Sequence, residues 1–191
     1  AGCVFLSWSS FSRWNGTPKL HLDGGVTTAP ERELDPPRED KPKIIFYSGV
    51  LNQYGGVDLL LDAFALIRDP DVRLWICGMG DNQKLRQALR TDSRISFFGC
   101  VPEQKLRELS RQAWVMVNPR PSDVPGNENN FPSKLLEYLS YGKPVVSTIT
   151  PGISPDYHDI VIPVAECAPE SLAQGIRSAL RATAVERAQA S

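Results

Sequence analysis

Between Asn129 and Pro144 the chain reads NNFPSKLLEYLSYGKP, and this stretch gathers residues whose types and spacing can hold an anion. Pro132 suits the first turn of a helix, and Asn130 or Ser133 can cap its free N–H groups. At about 100° per residue, Ser133, Lys134 and Glu137 fall on one side of that helix and Leu135, Leu136 and Leu139 on the other. The leucines belong to a core, and the polar set looks into a cleft. A helix N-terminus carries roughly half a positive charge and unsatisfied N–H donors, which makes it a ready site for a diphosphate. Lys134 adds a full charge. Glu137, one turn on, is placed to accept hydrogen bonds from two neighbouring hydroxyls, as on a ribose. On periodicity alone, an amphipathic surface helix with a solvated Lys and Glu explains the same pattern, so the surrounding elements must decide.

Those elements alternate. Ile44 to Tyr47 form a strand ending at Gly49, and a helix follows in which Val57, Leu60, Leu61, Phe64 and Ile67 recur at three- and four-residue spacings. Further strands are predicted near Val72 to Cys77, Ile95 to Phe98, Trp114 to Asn118, Pro144 to Ser147 and Ile160 to Val164. The intervening helices fall near Asn82 to Leu89, Glu103 to Arg111, Ser133 to Ser140 and Pro169 to Arg181. Strand–helix alternation with short right-handed crossovers predicts an α/β fold, an open doubly wound parallel sheet of Rossmann type. Lys19 to Leu22 reads as the last strand of a preceding unit. Thr27 to Lys43, rich in proline and charge without apolar period, reads as a linker. The expected organisation is therefore residues 1–42 as the end of a preceding domain plus linker, 43–182 as the domain, and 183–191 as a tail.

In such a sheet, ligands bind outside the carboxyl ends of the strands. Gly49, Gly78, Gly80 and Gly99 follow three strands in succession and leave room for a ligand to approach the backbone. A dinucleotide-binding fingerprint needs G-x-G-x-x-G after the first strand, whereas Gly78-Met79-Gly80 follows the second and lacks the third glycine. Asp69-Pro70-Asp71 has the form of a metal-binding D-x-D, but it lies between a helix and the next strand, at the opposite edge from the cleft, and reads as a solvated turn.

Bulk properties exclude other classes. The 191 residues are 41% hydrophobic and 23% charged, with a net charge of -1 and no run of Lys or Arg. This is ordinary globular composition, with no electrostatic case for nucleic acid or an anionic membrane as partner. The opening AGCVFLSWSSF has neither a basic region nor an unbroken apolar run, so it predicts no signal peptide or transmembrane segment and reads as a chain cut in mid-sequence. Cys3, Cys77, Cys100 and Cys167 have no metal or disulfide spacing and read as reduced, buried thiols.

Several blocks, in order, resemble the retaining glycosyltransferases of the GT-B fold (group 1, or family 4-like), which use UDP-, GDP- or ADP-sugars and are common in cell-surface polysaccharide assembly. They are Gly49 followed by Gly56 to Leu60 with Ala63-Phe64; Ile76 to Gly80; Phe98 to Pro102; Asn129 to Gly142; and Lys143 to Thr148. The resemblance spans about Lys43 to Leu180. It implies the C-terminal, donor-binding half of such an enzyme, with donor contacts at Gly49, Val50, Gly78, Met79, Gly99, Val101, Asn129, Asn130, Phe131, Pro132, Ser133, Lys134 and Glu137. The nucleobase would lie at the Gly99 to Pro102 turn. The acceptor, a glycan or a lipid-linked sugar, would bind a separate N-terminal domain, so the chain by itself is expected to turn nothing over. No metal or other cofactor is implied, and the expected location is cytoplasmic, with peripheral attachment at the inner membrane face of the intact protein.

The sequence also departs from the family pattern. The central signature is two glutamates with seven residues between them. Glu137 matches the second, but Asn129 stands where the first, which touches the sugar, belongs. Pro132 replaces a usual glycine. The two basic residues that grip the diphosphate are replaced by Val50 and Gly55, and Lys134 and Arg120 are the candidates to stand in for them. No residue reads as a general base; Asn129, Glu137 and Lys134 are the donor-side candidates for a part in catalysis, and His158 reads as structural. The alternatives are a non-catalytic nucleotide-sugar-binding module and a GT-B-like sugar epimerase or phosphorylase.

Overall fold

The computed structural model describes residues 2–25 and 42–190. Most of the expected linker, 27 to 43, lies outside them. Strands β3 (Lys43–Val50), β4 (Val72–Met79), β5 (Ile95–Phe97), β6 (Val115–Asn118), β7 (Val145–Thr148) and β8 (Ile162–Val164) form one sheet in the order β5-β4-β3-β6-β7-β8. Every pairing is parallel. The sheet grows outward in both directions from β3 and β6, and the crevice outside their carboxyl ends is the topological switch point where such folds take ligands.

Side-chain alternation along the strands feeds two cores. Ile45 and Tyr47 of β3 join the apolar stripe of α2 (Val57–Ala65), Leu85 of α3 (Gln83–Thr91), and Leu172, Ala173 and Ile176 of α6 (Pro169–Ala190) on one face. Phe46 points the other way, to Leu109 of α4 (Glu103–Gln112) and to Leu135 and Tyr138 of α5 (Ser133–Ser140). All five residues of the expected stripe, Val57, Leu60, Leu61, Phe64 and Ile67, are buried. Each side chain of this size contributes about 1.5–3 kcal/mol when removed from water.

Three expectations are corrected. The last helix does not stop near Arg181 but runs through the expected tail to Ala190. The stretch from 182 to 190 carries no proline or glycine to end it. Of the four cysteines only Cys77 is buried; Cys3 and Cys100 are exposed, Cys167 is half-buried, and all four are free. Lys19–His21 is a strand as expected, but it has a partner within this chain: β2 pairs in parallel with β1 (Cys3–Phe5) across the short helix α1 (Trp8–Arg13). Phe5, Trp8, Phe11, Trp14 and His21 pack together to hold this unit.

Asp69 lies where expected, at the amino edge of the sheet, paired with Lys43 at 3.3 Å. Among the described residues no helix is long and apolar enough to cross a membrane.

Candidate functional site

Gly49 and Val50 close β3, Gly78 and Met79 close β4, and Gly99 follows β5, so these residues share the carboxyl edge. Only part of that edge offers the room expected of its glycines. A Cβ on Gly78 would sit 1.8 Å from the Gly49 carbonyl oxygen, and one on Gly49 would sit 2.7 Å from the Tyr47 hydroxyl. These two glycines let backbones and a phenol pack together. Gly99, by contrast, has nothing within 4 Å of its missing side chain, and its carbonyl accepts the Gly78 N–H at 2.9 Å. Beside it Met79 is 63% exposed and Val101 half-buried.

The loop after β3 explains the missing basic residue at position 55. The Tyr47 hydroxyl donates to the Val50 carbonyl at 2.8 Å and approaches that of Gly55 at 3.3 Å. A Cβ on Gly55 would meet the Val50 oxygen at 2.1 Å and this hydroxyl at 2.5 Å. No side chain, basic or otherwise, fits there. A cation on this side is Arg120, just beyond β6. Burial draws its guanidinium below the usual range, against the influence of Tyr47. Its Nη1 donates to Asn127 Oδ1 at 3.1 Å, while its buried Nε has no partner. Asn127, also buried, donates to the Tyr54 and Pro121 carbonyls, so it joins the two loops that flank the switch point.

Helix α5 begins at Ser133 as predicted, with Pro132 in the capping position. Neither Asn130 nor Ser133 caps it, because no side chain accepts from its first turn. The buried face also differs from expectation. Leu135 and Tyr138 are buried, whereas Leu136 and Leu139 are only half-buried. Tyr138 takes the inner position because its hydroxyl has a task there. It accepts the Ser48 N–H at 2.7 Å and donates to the Ser48 carbonyl at 3.1 Å, on a strand that β6 meets only at Ile45 and Phe46. The phenol stands in for the absent strand and fixes α5 over the end of β3. On the outer face Lys134 and Glu137 pair at 2.6 Å. Burial pushes the Cys77 thiol up to about 11, against the opposing pull of the Lys134 ammonium.

Upstream, Phe131 is buried with its ring 5.5 Å from that of Tyr157, and Pro132 is buried beside it. Asn130 is exposed. Asn129 ends a short 3₁₀ turn and is held by α1: its Oδ1 accepts from the Arg13 guanidinium, and Ser9 Oγ donates to the adjacent Glu128 carbonyl at 2.5 Å. The Trp8 N–H donates to the Gly152 carbonyl at 3.0 Å, tying α1 to the loop after β7 as well. A cavity of about 550 Å³ opens here, lined by Ser7, Ser10, Asp23, Asn129, Ser133 and Leu136 among others. A second, of about 540 Å³, lies across α1 and is lined by Trp8, Arg13, Glu128, Thr150 and His158 among others. His158 is thus on a cavity wall, exposed, at the end of the 3₁₀ turn Pro155–Tyr157. Among the described residues no three His, Cys, Asp or Glu side chains form a metal-ligand set.

Three phenols beside the site set an alkaline limit on stability. Burial raises Tyr47 and Tyr138 well above their usual 10.0. Tyr157 is pushed up to about 12 by burial and then by Asp23. The folded state holds these protons more tightly than the unfolded chain, so stability is at its full value below about pH 10 and falls as pH rises above it. The urea midpoint is expected to hold up to that pH and drop between pH 10 and 12. A constant midpoint across that range would contradict the burial of these hydroxyls.

A family profile described as "Glycosyl transferases group 1" matches residues 41–182. The chain belongs to the group 1 glycosyl transferases. Its fold is that of GT-B glycosyltransferases. It is similar to the apo form of the lipopolysaccharide outer core galactosyltransferase WaaB, with TM-score 0.70 and 19% identity over 94% of this chain and 52% of that one. It is also similar to Anabaena Alr3699/HepE in complex with UDP-glucose, with TM-score 0.65 and 16% identity over 97% of this chain and 58% of that one. A third likeness is to the C-terminal domain of a group 1 glycosyl transferase, LpcC of Francisella tularensis, with TM-score 0.58 and 14% identity over 85% and 87%. The chain thus spans just over half the length of WaaB and HepE. Among curated proteins, none matches the sequence.

This glycosyl transferase therefore brings the predicted site residues into two groups: Gly49, Val50, Gly78, Met79, Gly99 and Val101 along the strand ends, and Asn129 to Glu137 around the start of α5. Residues outside the sequence reading, Tyr47, Tyr138, Asn127, Ser9 and Arg13, are what hold those groups in place. Only Tyr138 carried a signal, its three-residue spacing from Leu135.

Proposed function

We propose that this chain is the donor-binding half of a retaining glycosyltransferase that takes a UDP-, GDP- or ADP-sugar. The observation that carries this reading is the uncapped start of α5 beside the switch point, with Ser133 exposed and Lys134 and Glu137 on its outer face. The diphosphate sits against the free N–H groups of this helix and the Lys134 ammonium. Glu137 accepts from the ribose hydroxyls, and the base lies along Gly99 to Val101, where there is open space. Asn129 meets the sugar. The Lys134–Glu137 pair does not oppose this arrangement: a half-exposed helical pair of this kind is worth about 0.2–1 kcal/mol, whereas a charged hydrogen bond to a phosphate contributes about 1.5–3 kcal/mol.

In the reaction the sugar leaves the diphosphate and joins an acceptor hydroxyl with its anomeric configuration kept. The protein's part is electrostatic: the helix dipole, Lys134 and Arg120 stabilise the departing diphosphate where other enzymes use a metal ion. The acceptor, a glycan or lipid-linked sugar in cell-surface polysaccharide synthesis, is held by a second domain, so the isolated chain binds donor weakly and transfers nothing. HepE, solved with UDP-glucose, supports a uridine nucleotide as the first donor to try.

Calorimetric titration of the full-length protein with UDP, GDP and ADP tests the reading. One of the three binds, and Lys134→Ala lowers its affinity about tenfold or more. An unchanged affinity would remove Lys134 from the site. A second reading, a nucleotide-sugar-binding module without turnover, is favoured by the tight turn at Gly55, which admits no side chain at that position. Sugar transfer by the full-length protein with the winning donor separates the two.

A further inference from the structure

Arginines from two distant parts of the chain meet at the end of the sheet away from the switch point. A cavity of about 280 Å³ opens at the amino edge, where β3 and β4 begin, and Lys43, Arg68, Asp69, Arg177 and Arg181 line it beside the buried Ile67 and Leu180. The one carboxylate on this wall is already engaged. Asp69 Oδ1 accepts the Asp71 N–H at 2.9 Å, and its Oδ2 pairs with Lys43 at 3.3 Å. Arg94, which donates to the Ile67 carbonyl at 2.5 Å, is neutralised by Asp92 at 2.7 Å. The three arginines of the cavity have no such match. Arg68, Arg177 and Arg181 are exposed, and among the described residues none of them pairs with a carboxylate. Arg177 Nη2 donates to the Leu66 carbonyl at 2.5 Å and Arg181 Nη2 to Ser178 Oγ at 3.3 Å, while the Arg68 side chain has no partner among the described residues.

Arg177 and Arg181 stand one turn apart on α6, where like charges repel, and Arg68 adds a third charge from the turn after α2. An anion relieves this repulsion. A carboxylate brings one charge and two oxygens, enough for a single guanidinium fork; a phosphate group carries about -1.5 to -2 and a tetrahedron of oxygens that accepts forks arriving from different elements. We propose that this cavity is a second anion site that takes a phosphate group. β3 runs from Lys43 to Val50, roughly 23 Å at about 3.3 Å per residue, so a ligand here does not share the donor cleft, and the site stands whether or not the donor reading holds. The phosphate belongs either to a small soluble molecule or to a phospholipid headgroup, which present the same chemistry to the arginines.

The test uses the full-length protein and its Arg68→Gln/Arg181→Gln variant. Arg177 is left in place because it holds the end of α2. Inorganic phosphate is titrated calorimetrically at fixed ionic strength, and vesicles of phosphatidylcholine with and without phosphatidylglycerol are sedimented with each protein. The wild type is expected to bind phosphate, the phosphatidylglycerol vesicles or both, and the variant to bind about tenfold more weakly. Loss of vesicle binding in the variant assigns a headgroup; loss of phosphate binding by a protein that ignores vesicles assigns a soluble ligand. Equal binding by the two proteins, or binding of neither probe, would overturn the proposal. Urea midpoints and affinity for the nucleotide are expected to be unchanged in the variant. If the double variant is less stable, Arg68→Gln alone, which removes a side chain without a partner, is read in its place.

Discussion

Replacing Gly78 by alanine is expected to destabilise the protein by about 2–6 kcal/mol, combining backbone strain and overpacking of about 1–3 kcal/mol each. The residue has φ +145°, and its added Cβ would lie 1.8 Å from the Gly49 carbonyl oxygen. That oxygen belongs to the neighbouring strand in register with it, so relief requires β3 and β4 to part where the site begins. Gly142 is the control. It has φ +63° but nothing within 4 Å of its missing side chain, so Gly142→Ala incurs only the strain, about 1 kcal/mol. Urea midpoints of the two variants separate strain from collision. Equal losses would mean that the close approach of the two strands counts for little.

Tyr138→Phe is expected to cost about 2–6 kcal/mol, because it leaves two buried backbone groups of Ser48 unsatisfied at about 1–3 kcal/mol each. The side chain is only 1% exposed, and phenylalanine fills nearly the same volume, so the loss reports hydrogen bonding and not packing. Hydrogen exchange at the Ser48 amide should accelerate in the same variant. Since Tyr138 pins α5, the start of that helix loses its fixed place over β3, and affinity for the nucleotide should fall with stability. A fully stable Tyr138→Phe protein would mean that water replaces the phenol.

The sheet could be read from the chain because its signals are local and repeated. The α2 stripe recurs at helical spacing, and the strands are runs of branched and aromatic residues bounded by glycine. Both properties belong to neighbouring residues, and burial merely rewards them. The α5 start was legible for the same reason, since Pro132 marks a first turn wherever the helix ends up.

What escaped the sequence depends on partners far along the chain. Tyr138 lies 90 residues from Ser48, and nothing in LLEYLS says that a phenol will replace a strand. Arg13 lies 116 residues from Asn129, within a segment whose serines and aromatics carry no clear period. Glycines mark the strand ends, but the residue type alone does not tell whether the space of a missing side chain stays open, as at Gly99, or is taken by another backbone, as at Gly78.

The Tyr47 hydroxyl over the Val50–Gly55 loop also bears on how this lineage can change. Restoring a basic residue at position 55 by a single substitution sets a Cβ against both the Val50 oxygen and that hydroxyl, so the intermediate is defective before the new charge can help. Loss of the phenol, as in Tyr47→Phe, removes only one of the two obstacles. The mutations are therefore epistatic, with the loop having to re-form before the cation is tolerated. A cation introduced elsewhere along the carboxyl edge meets no such barrier, so the order in which substitutions are accessible disfavours a basic residue at position 55.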